Sequence, residues 1–202
     1  MAENDPTRWN ERYEQGRDGW TLDGPPQILL SLIQSLSRGD PMRVIVPGAG
    51  VGHDALAWAQ AGHEVVALDF APAAVARLRE RAAEAGLTIE AHVADVTNPG
   101  PALNDGLGGR FDLVWEQTCL CAITPELRGA YLAQARSWLT PDGSMLALLW
   151  NTGNEGGPPY DMPPELVERL MTGLFVIDKF APVTGSNPNR REHLYWLRPE
   201  PT

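Results

Sequence analysis

The pattern with the clearest chemical meaning in this chain is a run of alternating glycines between two predicted elements. Gly48, Gly50 and Gly52 follow the β-branched run Arg43 to Pro47 and precede the helical segment Asp54 to Ala61. Glycines in a strand-to-helix turn let the backbone approach a ligand closely, and the amides at a helix start attract anions. The alternative is a tight turn with no ligand. We expect this turn to form one wall of a binding site.

An acidic residue at the end of the next predicted strand extends this pattern. Asp69 follows Gly50 by 19 residues and ends the run Glu64 to Asp69. A carboxylate in that place can accept hydrogen bonds from both hydroxyls of a ribose, although it could also cap the next helix. A dinucleotide-binding turn needs glycine at position 53, where this chain has His53. The pattern favours an adenosine ligand without pyrophosphate, and an NAD-dependent oxidoreductase stays open as an alternative.

Further polar side chains lie at the ends of later predicted strands. Asp95 follows the third strand, where an acid could take an adenine amino group, and Glu116 and Gln117 end the fourth. Ligands of parallel sheets bind at the carboxyl ends of the strands. We therefore expect these three side chains to lie near the glycine turn, with a plain turn role as the alternative for Asp95.

Three aromatic residues, Trp9, Tyr13 and Trp20, interrupt an otherwise polar N-terminal stretch. Aromatic faces attract cations, including a sulfonium. Covering the edge of the sheet is the alternative. The stretch is expected to form a cap over the binding site.

The elements that must position these residues alternate between strand and helix along the chain. This order predicts a parallel sheet covered on both faces. Residues 98–109 are expected to be irregular and 141–143 a turn. The last strands, 174–180 and 193–197, are joined by the polar loop 184–191 and predict an antiparallel hairpin at the sheet edge. We expect a single domain over 1–202, with an N-terminal cap segment 1–38 and a core 42–202. The other predicted strands are 43–47, 64–69, 88–93, 111–116 and 144–150, and the predicted helices are 27–36, 54–61, 73–85, 125–139 and 163–171.

Bulk properties narrow the class of protein. The net charge of −10 argues against binding of nucleic acid or of anionic membranes. No apolar run approaches the roughly 20 residues of a membrane span, and the polar N-terminus predicts a cytoplasmic protein. Cys119 and Cys121 are expected on opposite sides of a strand, reduced, with neither a disulfide nor a metal.

Several segments together resemble a known family. The run VIVPGAGVGHDALAWAQAGHEVVALDFAPAAV resembles the thiopurine S-methyltransferase superfamily. The closer likeness is to its halide and thiol (thiocyanate) methyltransferase branch. That likeness is carried by an N-terminal W-x-x-x-Y with Trp20 after it, and by FDLVWEQTCLCAITPELR, LTPDGSMLALLW and GGPPY. The resemblance covers about Trp9 to Tyr160.

The resemblance implies a Rossmann-like α/β methyltransferase fold whose mostly parallel seven-stranded sheet ends in an antiparallel hairpin. It also implies S-adenosylmethionine as cofactor. Gln117 would lie beside the methionine end or the acceptor, and Tyr160 is a second candidate for contacting the acceptor. The candidate cofactor-binding residues are Trp9, Tyr13, Trp20, Gly48, Gly50, Asp69, Phe70, Asp95, Val96, Glu116 and Gln117.

The implied reaction transfers a methyl group to a small acceptor, either a thiol, thiocyanate or a halide ion. A thiopurine-type or other small-molecule methyltransferase is the first alternative. Thiopurine methyltransferases carry Arg where this chain has Gln117, so a thiopurine would lack its cationic contact here. Tyr13 stands where the halide branch often has Trp. A non-catalytic cofactor-binding protein is the second alternative, and the oligomeric state is open.

Overall fold

The structure is a computed structural model that describes residues 5–37, 39–183 and 190–201. The helices it describes are α1 Pro6–Glu14, α2 Gln27–Leu36, α3 His53–Gln60, α4 Pro72–Glu84, α5 Pro101–Leu107, α6 Arg128–Trp138 and α7 Pro164–Met171, with short 3-10 turns at Leu120–Ala122 and Pro125–Leu127. The strands are β1 Arg43–Pro47, β2 Glu64–Asp69, β3 Glu90–Val93, β4 Phe111–Gln117, β5 Leu139–Asn151, β6 Phe175–Val183 and β7 Arg191–Pro199.

The seven strands of the described chain form one sheet in the order β3-β2-β1-β4-β5-β7-β6. Strands β1 to β5 are parallel, and β7 runs antiparallel to both β5 and β6. This is the mostly parallel seven-stranded α/β sheet with a C-terminal antiparallel hairpin that the sequence predicts. The hairpin does not simply extend the edge, because β7 inserts between β5 and β6 and leaves β6 outermost. Most of the loop predicted at 184–191 falls outside the described residues.

The core lies on both faces of the sheet because the parallel strands are covered twice. Val44 and Val46 pack into one cluster with Trp58 and Trp115, whereas Ile45 packs into the cluster on the opposite face. Strands that are buried on both faces have nearly continuous apolar sequences, and β1 and β2 are of this kind.

Two local predictions were wrong, and a third is confirmed with a different start. The stretch expected to be irregular contains α5, which begins at Pro101, where the missing N–H of proline is tolerated. The predicted turn at 141–143 continues as part of β5; a Cβ on Gly143 would lie 2.7 Å from the carbonyl oxygen of Phe111, so close pairing requires glycine there. The helix expected at 125–139 is a 3-10 turn followed by α6.

The N-terminal segment contains a helix, α1, that is fixed to the core. The Asp5 carboxylate caps it by accepting from the Thr7 amide at 2.9 Å. The Asn10 side-chain oxygen accepts from the amide of Ala73 at 2.8 Å, and the Arg77 guanidinium donates to the Tyr13 carbonyl at 2.6 Å. These contacts hold α1 against α4. Residues 1–4 and 38 of the predicted cap segment are outside the described chain.

Across the described chain, no helix is both long and apolar enough to cross a membrane.

Candidate functional site

The glycine turn between β1 and α3 is shaped by its packing as well as by its backbone. Gly48 and Gly50 have φ of +62° and +53°, a region that side chains other than glycine rarely adopt. A Cβ on Gly48 would lie 2.7 Å from Sγ of Cys119, and one on Gly50 would lie 3.0 Å from the hydroxyl of Tyr13. The turn therefore fits closely under the N-terminal cap and beside the loop after β4.

Asp69 holds this turn from the end of β2. Its Oδ2 accepts from the Gly50 amide at 2.8 Å and its Oδ1 accepts from the Ala71 amide at 2.9 Å. The side chain is almost fully buried, and that burial raises the pKa of the carboxyl to about 6. Asp69 thus joins the turn to the start of α4 and presents an acceptor group at the end of the strand.

A cavity of about 380 Å³ opens above the carboxyl ends of β1 to β5. The structure brings together in its wall all of the candidate cofactor-binding residues except Glu116. Those that line it are Trp9, Tyr13, Trp20, Gly48, Gly50, Asp69, Phe70, Asp95, Val96 and Gln117. Asp95 is exposed, and its Oδ1 accepts from the amide and the hydroxyl of Thr97 at 2.8 and 2.7 Å, so it also has the turn role held open above.

Glu116 is turned away from this cavity, contrary to its proposed contact with the cofactor. It is fully buried, and its Oε1 accepts from the amides of Cys119 and Leu120 at 3.0 and 2.9 Å. Its Oε2 accepts from the hydroxyl of Tyr131. Glu116 therefore fixes the loop that follows β4, and burial raises the pKa of its carboxyl to about 7.

This buried acid predicts a pH-dependent stability. A carboxyl whose pKa is higher in the folded chain favours folding in its protonated form, and that contribution is lost as pH rises from about 4.5 through about 7. Between pH 5 and pH 8, the free energy of unfolding should therefore fall less for Glu116→Gln than for the wild type. The difference should be up to roughly 3 kcal/mol. Urea unfolding at both pH values measures this, with exposed Glu84→Gln as control. Parallel pH dependences of the wild type and Glu116→Gln would contradict it.

Tyr160 is the other candidate that lies outside the cavity wall. Its amide donates to the Cys121 carbonyl at 2.7 Å, and the Arg128 guanidinium lies 5.0 Å from its ring centroid. The neighbouring Pro158 and Pro159 line the cavity in its place. Tyr160 therefore anchors the loop after β5, and in this structure its ring packs against Arg128 outside the cavity wall.

Gln117 lies in the cavity wall with an unused acceptor. Its Oε1 is buried and has no hydrogen-bond partner among the residues that the structure describes. An unpaired buried carbonyl is costly unless something else satisfies it. The next residue, Thr118, has a φ of +58°, a strained conformation for a β-branched side chain. Both features favour a ligand-binding role for this corner.

Gln117→Leu should separate binding from stability. Because the protein itself provides no partner for Oε1, the substitution should leave the free energy of unfolding unchanged or raise it. Binding of S-adenosylhomocysteine, the demethylated form of the cofactor that the resemblance implies, should weaken about tenfold, the loss expected for one hydrogen bond to a charged group. Calorimetric binding and urea unfolding measure the two effects. A loss of stability without a loss of binding would instead indicate a structural role.

The N-terminal aromatic residues form a cluster above the cavity. The ring centroids of Trp9 and Trp20 are 4.9 Å apart, and the Trp20 indole N–H donates to the Tyr13 hydroxyl at 3.2 Å. The Arg12 guanidinium lies 4.4 Å from the Trp20 ring centroid. The cation that the Trp20 ring contacts in this structure is therefore Arg12 of the chain itself, rather than a sulfonium.

Several cavity residues were not predicted. Cys119 and Cys121 line the wall and are not on a strand, because the chain enters a 3-10 turn at Leu120; burial raises the pKa of both thiols. Trp150 also lines the cavity, beside Arg190. No single sequence pattern identifies this pair, since 40 residues separate them. Among the described residues, no group of three or more His, Cys, Asp or Glu side chains could hold a metal ion.

Comparison with known proteins identifies the family. Residues 4–195 match the family model of thiopurine S-methyltransferase. The chain belongs to the thiopurine S-methyltransferase family. This family depends on S-adenosylmethionine, which is the cofactor that the resemblance implied.

Named relatives agree with this family, and a solved structure shares the fold. Thiocyanate methyltransferase 1 of Brassica oleracea is 31% identical over 170 residues, which are 81% of this chain and 70% of that protein. A protein of Arabidopsis thaliana named Probable thiol methyltransferase 2 is 28% identical over 179 residues, 86% of this chain and 75% of its own. The 1,6-didemethyltoxoflavin-N1-methyltransferase of Burkholderia thailandensis has a similar fold, with a TM-score of 0.75 and 22% identity over 97% of this chain and 87% of its own.

Proposed function

We propose that this methyltransferase holds S-adenosylmethionine over the ends of β1 to β3 and methylates a small thiol, thiocyanate or halide ion over the ends of β4 and β5. The size of the cavity carries the proposal. About 380 Å³ is at the low end of the roughly 300 to 1,000 Å³ of ligand pockets. A cofactor with an adenine, a ribose and an amino acid leaves room for a small acceptor only.

The wall residues fit the two halves of this proposal. Asp69 would accept from the ribose hydroxyls, with Asp95 beside the adenine and the glycine turn beneath the cofactor. The unpaired Oε1 of Gln117 would accept from the ammonium of the methionine end. Trp150 and Pro158 would enclose the acceptor from the β5 side.

Catalysis in this site would rest on positioning and on exclusion of water. When bound, the cofactor supplies a methyl group on a sulfonium: the acceptor lone pair forms the new bond to carbon, and the pair of the broken C–S bond stays on sulfur. The chain holds the acceptor in line and dry under the aromatic cluster. Anions such as thiocyanate and iodide need no base, whereas a thiol, with a pKa of about 8.5, must first lose its proton.

The alternative acceptor class is a thiopurine. Thiopurine methyltransferases carry Arg where this chain has Gln117, and a purine needs more of the cavity than thiocyanate does. Both points favour the small acceptor.

Methyl-labelled S-adenosylmethionine and a panel of acceptors test the proposal. The panel holds iodide, bromide, thiocyanate, hydrosulfide, small organic thiols, an aromatic thiol and a thiopurine, and volatile and soluble products are counted separately. We expect turnover of the small sulfur or halide acceptors. Turnover of the thiopurine alone would contradict the small-acceptor proposal, and cofactor binding without any turnover would favour a non-catalytic protein.

A further inference from the structure

A buried arginine lies at the acceptor end of the cavity, where the fold itself does not require a charged side chain. Arg190 lies immediately before β7, and its side chain is only 7% exposed. It lines the cavity together with Trp150, to which the insertion of β7 beside β5 brings it. A guanidinium is costly to bury unless its donors are used.

The position of this guanidinium is fixed by its neighbours. Its Cζ lies 4.2 Å from the centroid of the Trp150 ring, a stacked cation–π contact. Its Nη2 lies 3.5 Å from the Trp20 carbonyl oxygen, which ties it to the N-terminal cap. An arginine held in this way loses little further freedom when it binds a ligand.

One of its donors is left without a hydrogen bond. Nη1 of Arg190 is buried and has no hydrogen-bond partner within the described part of the chain. The Glu192 carboxylate lies 3.9 Å away, beyond hydrogen-bond distance, where it balances charge without using this N–H. Arg190 therefore has a donor left for a ligand in the cavity.

The other charged groups of the cavity wall lie elsewhere. Asp69 and Asp95 stand at the ends of β2 and β3, Asp54 accepts from the indole N–H of Trp115 on β4 at 2.6 Å, and Arg12 lies over Trp20. Within the described wall, Arg190 is the basic residue beside the ends of β4 and β5. The ends of β2 and β3 thus carry acidic side chains, whereas a guanidinium lies beside the end of β5.

We infer that Arg190 is the specificity-determining residue that binds the methyl acceptor, and that the acceptor binds as an anion. This inference rests on the proposed function. A guanidinium is weakly hydrated compared with an ammonium, so it suits weakly hydrated anions such as thiocyanate, iodide and a thiolate. The anion would lie between Arg190 and the methyl group and be neutralised as the methyl group is transferred.

Arg190→Gln separates this role from a structural one. We expect the KM for thiocyanate to rise about 10- to 100-fold, as for loss of a charge-assisted hydrogen bond, with a much smaller change in kcat. Arg191→Gln is the matched control, because it removes the same charge one residue away, on an exposed side chain outside the cavity wall. Arg190→Lys keeps the charge without the planar fork and should recover part of the affinity.

Binding without turnover gives the decisive readout. Thiocyanate is titrated calorimetrically into protein saturated with S-adenosylhomocysteine, at constant ionic strength set by gluconate. We expect wild type and Arg191→Gln to bind with similar Kd and Arg190→Gln to bind about 10- to 100-fold more weakly, at a temperature below the Tm of every variant and with S-adenosylhomocysteine binding retained. Equal thiocyanate affinity in wild type and Arg190→Gln would overturn the inference and leave the proposed function intact. Failure of the wild type to bind S-adenosylhomocysteine would overturn both.

Discussion

Asp69→Asn should weaken S-adenosylhomocysteine binding by about 100-fold. Both carboxylate oxygens accept backbone amides, from Gly50 and Ala71. An asparagine places an NH₂ group against one of these amides and removes a charged acceptor from the ribose. Each hydrogen bond to a charged group contributes about 1.5 to 3 kcal/mol, and 1.4 kcal/mol is a tenfold change in affinity. Isothermal titration calorimetry at pH 8 measures the loss.

The titration of Asp69 adds a pH signature to this prediction. Because burial raises the pKa of its carboxyl to about 6, the group is mostly protonated at pH 5 and ionised at pH 8. The ionised form is the better acceptor for ribose hydroxyls, so wild-type affinity should increase as pH rises through about 6. Asp69→Asn should lack this increase. Exposed Asp142→Asn is the control and should match the wild type, while a pH-independent wild-type affinity would count against the assignment.

Gly48→Ala should destabilise the protein by about 2 to 5 kcal/mol and reduce cofactor binding with it. The left-handed backbone costs roughly 1 to 2 kcal/mol for a residue with a Cβ. The new methyl group would also lie 2.7 Å from Sγ and 2.8 Å from Cβ of Cys119, an overpacking that costs about 1 to 3 kcal/mol. Urea unfolding measures the sum.

A matched glycine separates the two parts of this cost. Gly62 has a φ of +89°, yet a Cβ there would meet nothing within 4 Å. Gly62→Ala should therefore show the backbone cost alone, and Gly48→Ala should cost more. Cys119→Gly should therefore cost less stability in the Gly48→Ala background than in the wild type. Equal costs for Gly48→Ala and Gly62→Ala would show that the turn is not closely packed.

The sequence predicts the fold well because its main signals are local and periodic. Apolar runs such as Val44 to Val46 read directly as strands covered on both faces, and the glycine turn with Asp69 marks the end of the sheet where the cavity lies. The place of β7 between β5 and β6 is a matter of long-range pairing. No local pattern around residues 191–199 encodes it.

The different positions of Glu116 and Gln117 have the same origin. Glu116 and Gln117 are adjacent and polar at the end of one strand, so the sequence treats them alike. In the structure their side chains face opposite ways, as neighbours on a strand do: Glu116 toward Tyr131 and the buried loop, and Gln117 toward the cavity.

The acceptor end was the least predictable part. Tyr160 had a suitable side chain in a suitable loop, but its ring packs against Arg128. Arg190 stands in a polar stretch without periodicity, and only the pairing of β5 with β7 places it over Trp150.

A crystal structure with S-adenosylhomocysteine and iodide would test the central claim most directly, since anomalous scattering locates the iodide independently. We predict the ribose hydroxyls on the Asp69 carboxylate, the cofactor sulfur directed toward the Gln117 side, and an iodide in the cavity between that sulfur and the Arg190 guanidinium. A cofactor bound outside this cavity, or one whose sulfur points away from Gln117 and Trp150 with no iodide beside it, would contradict the account.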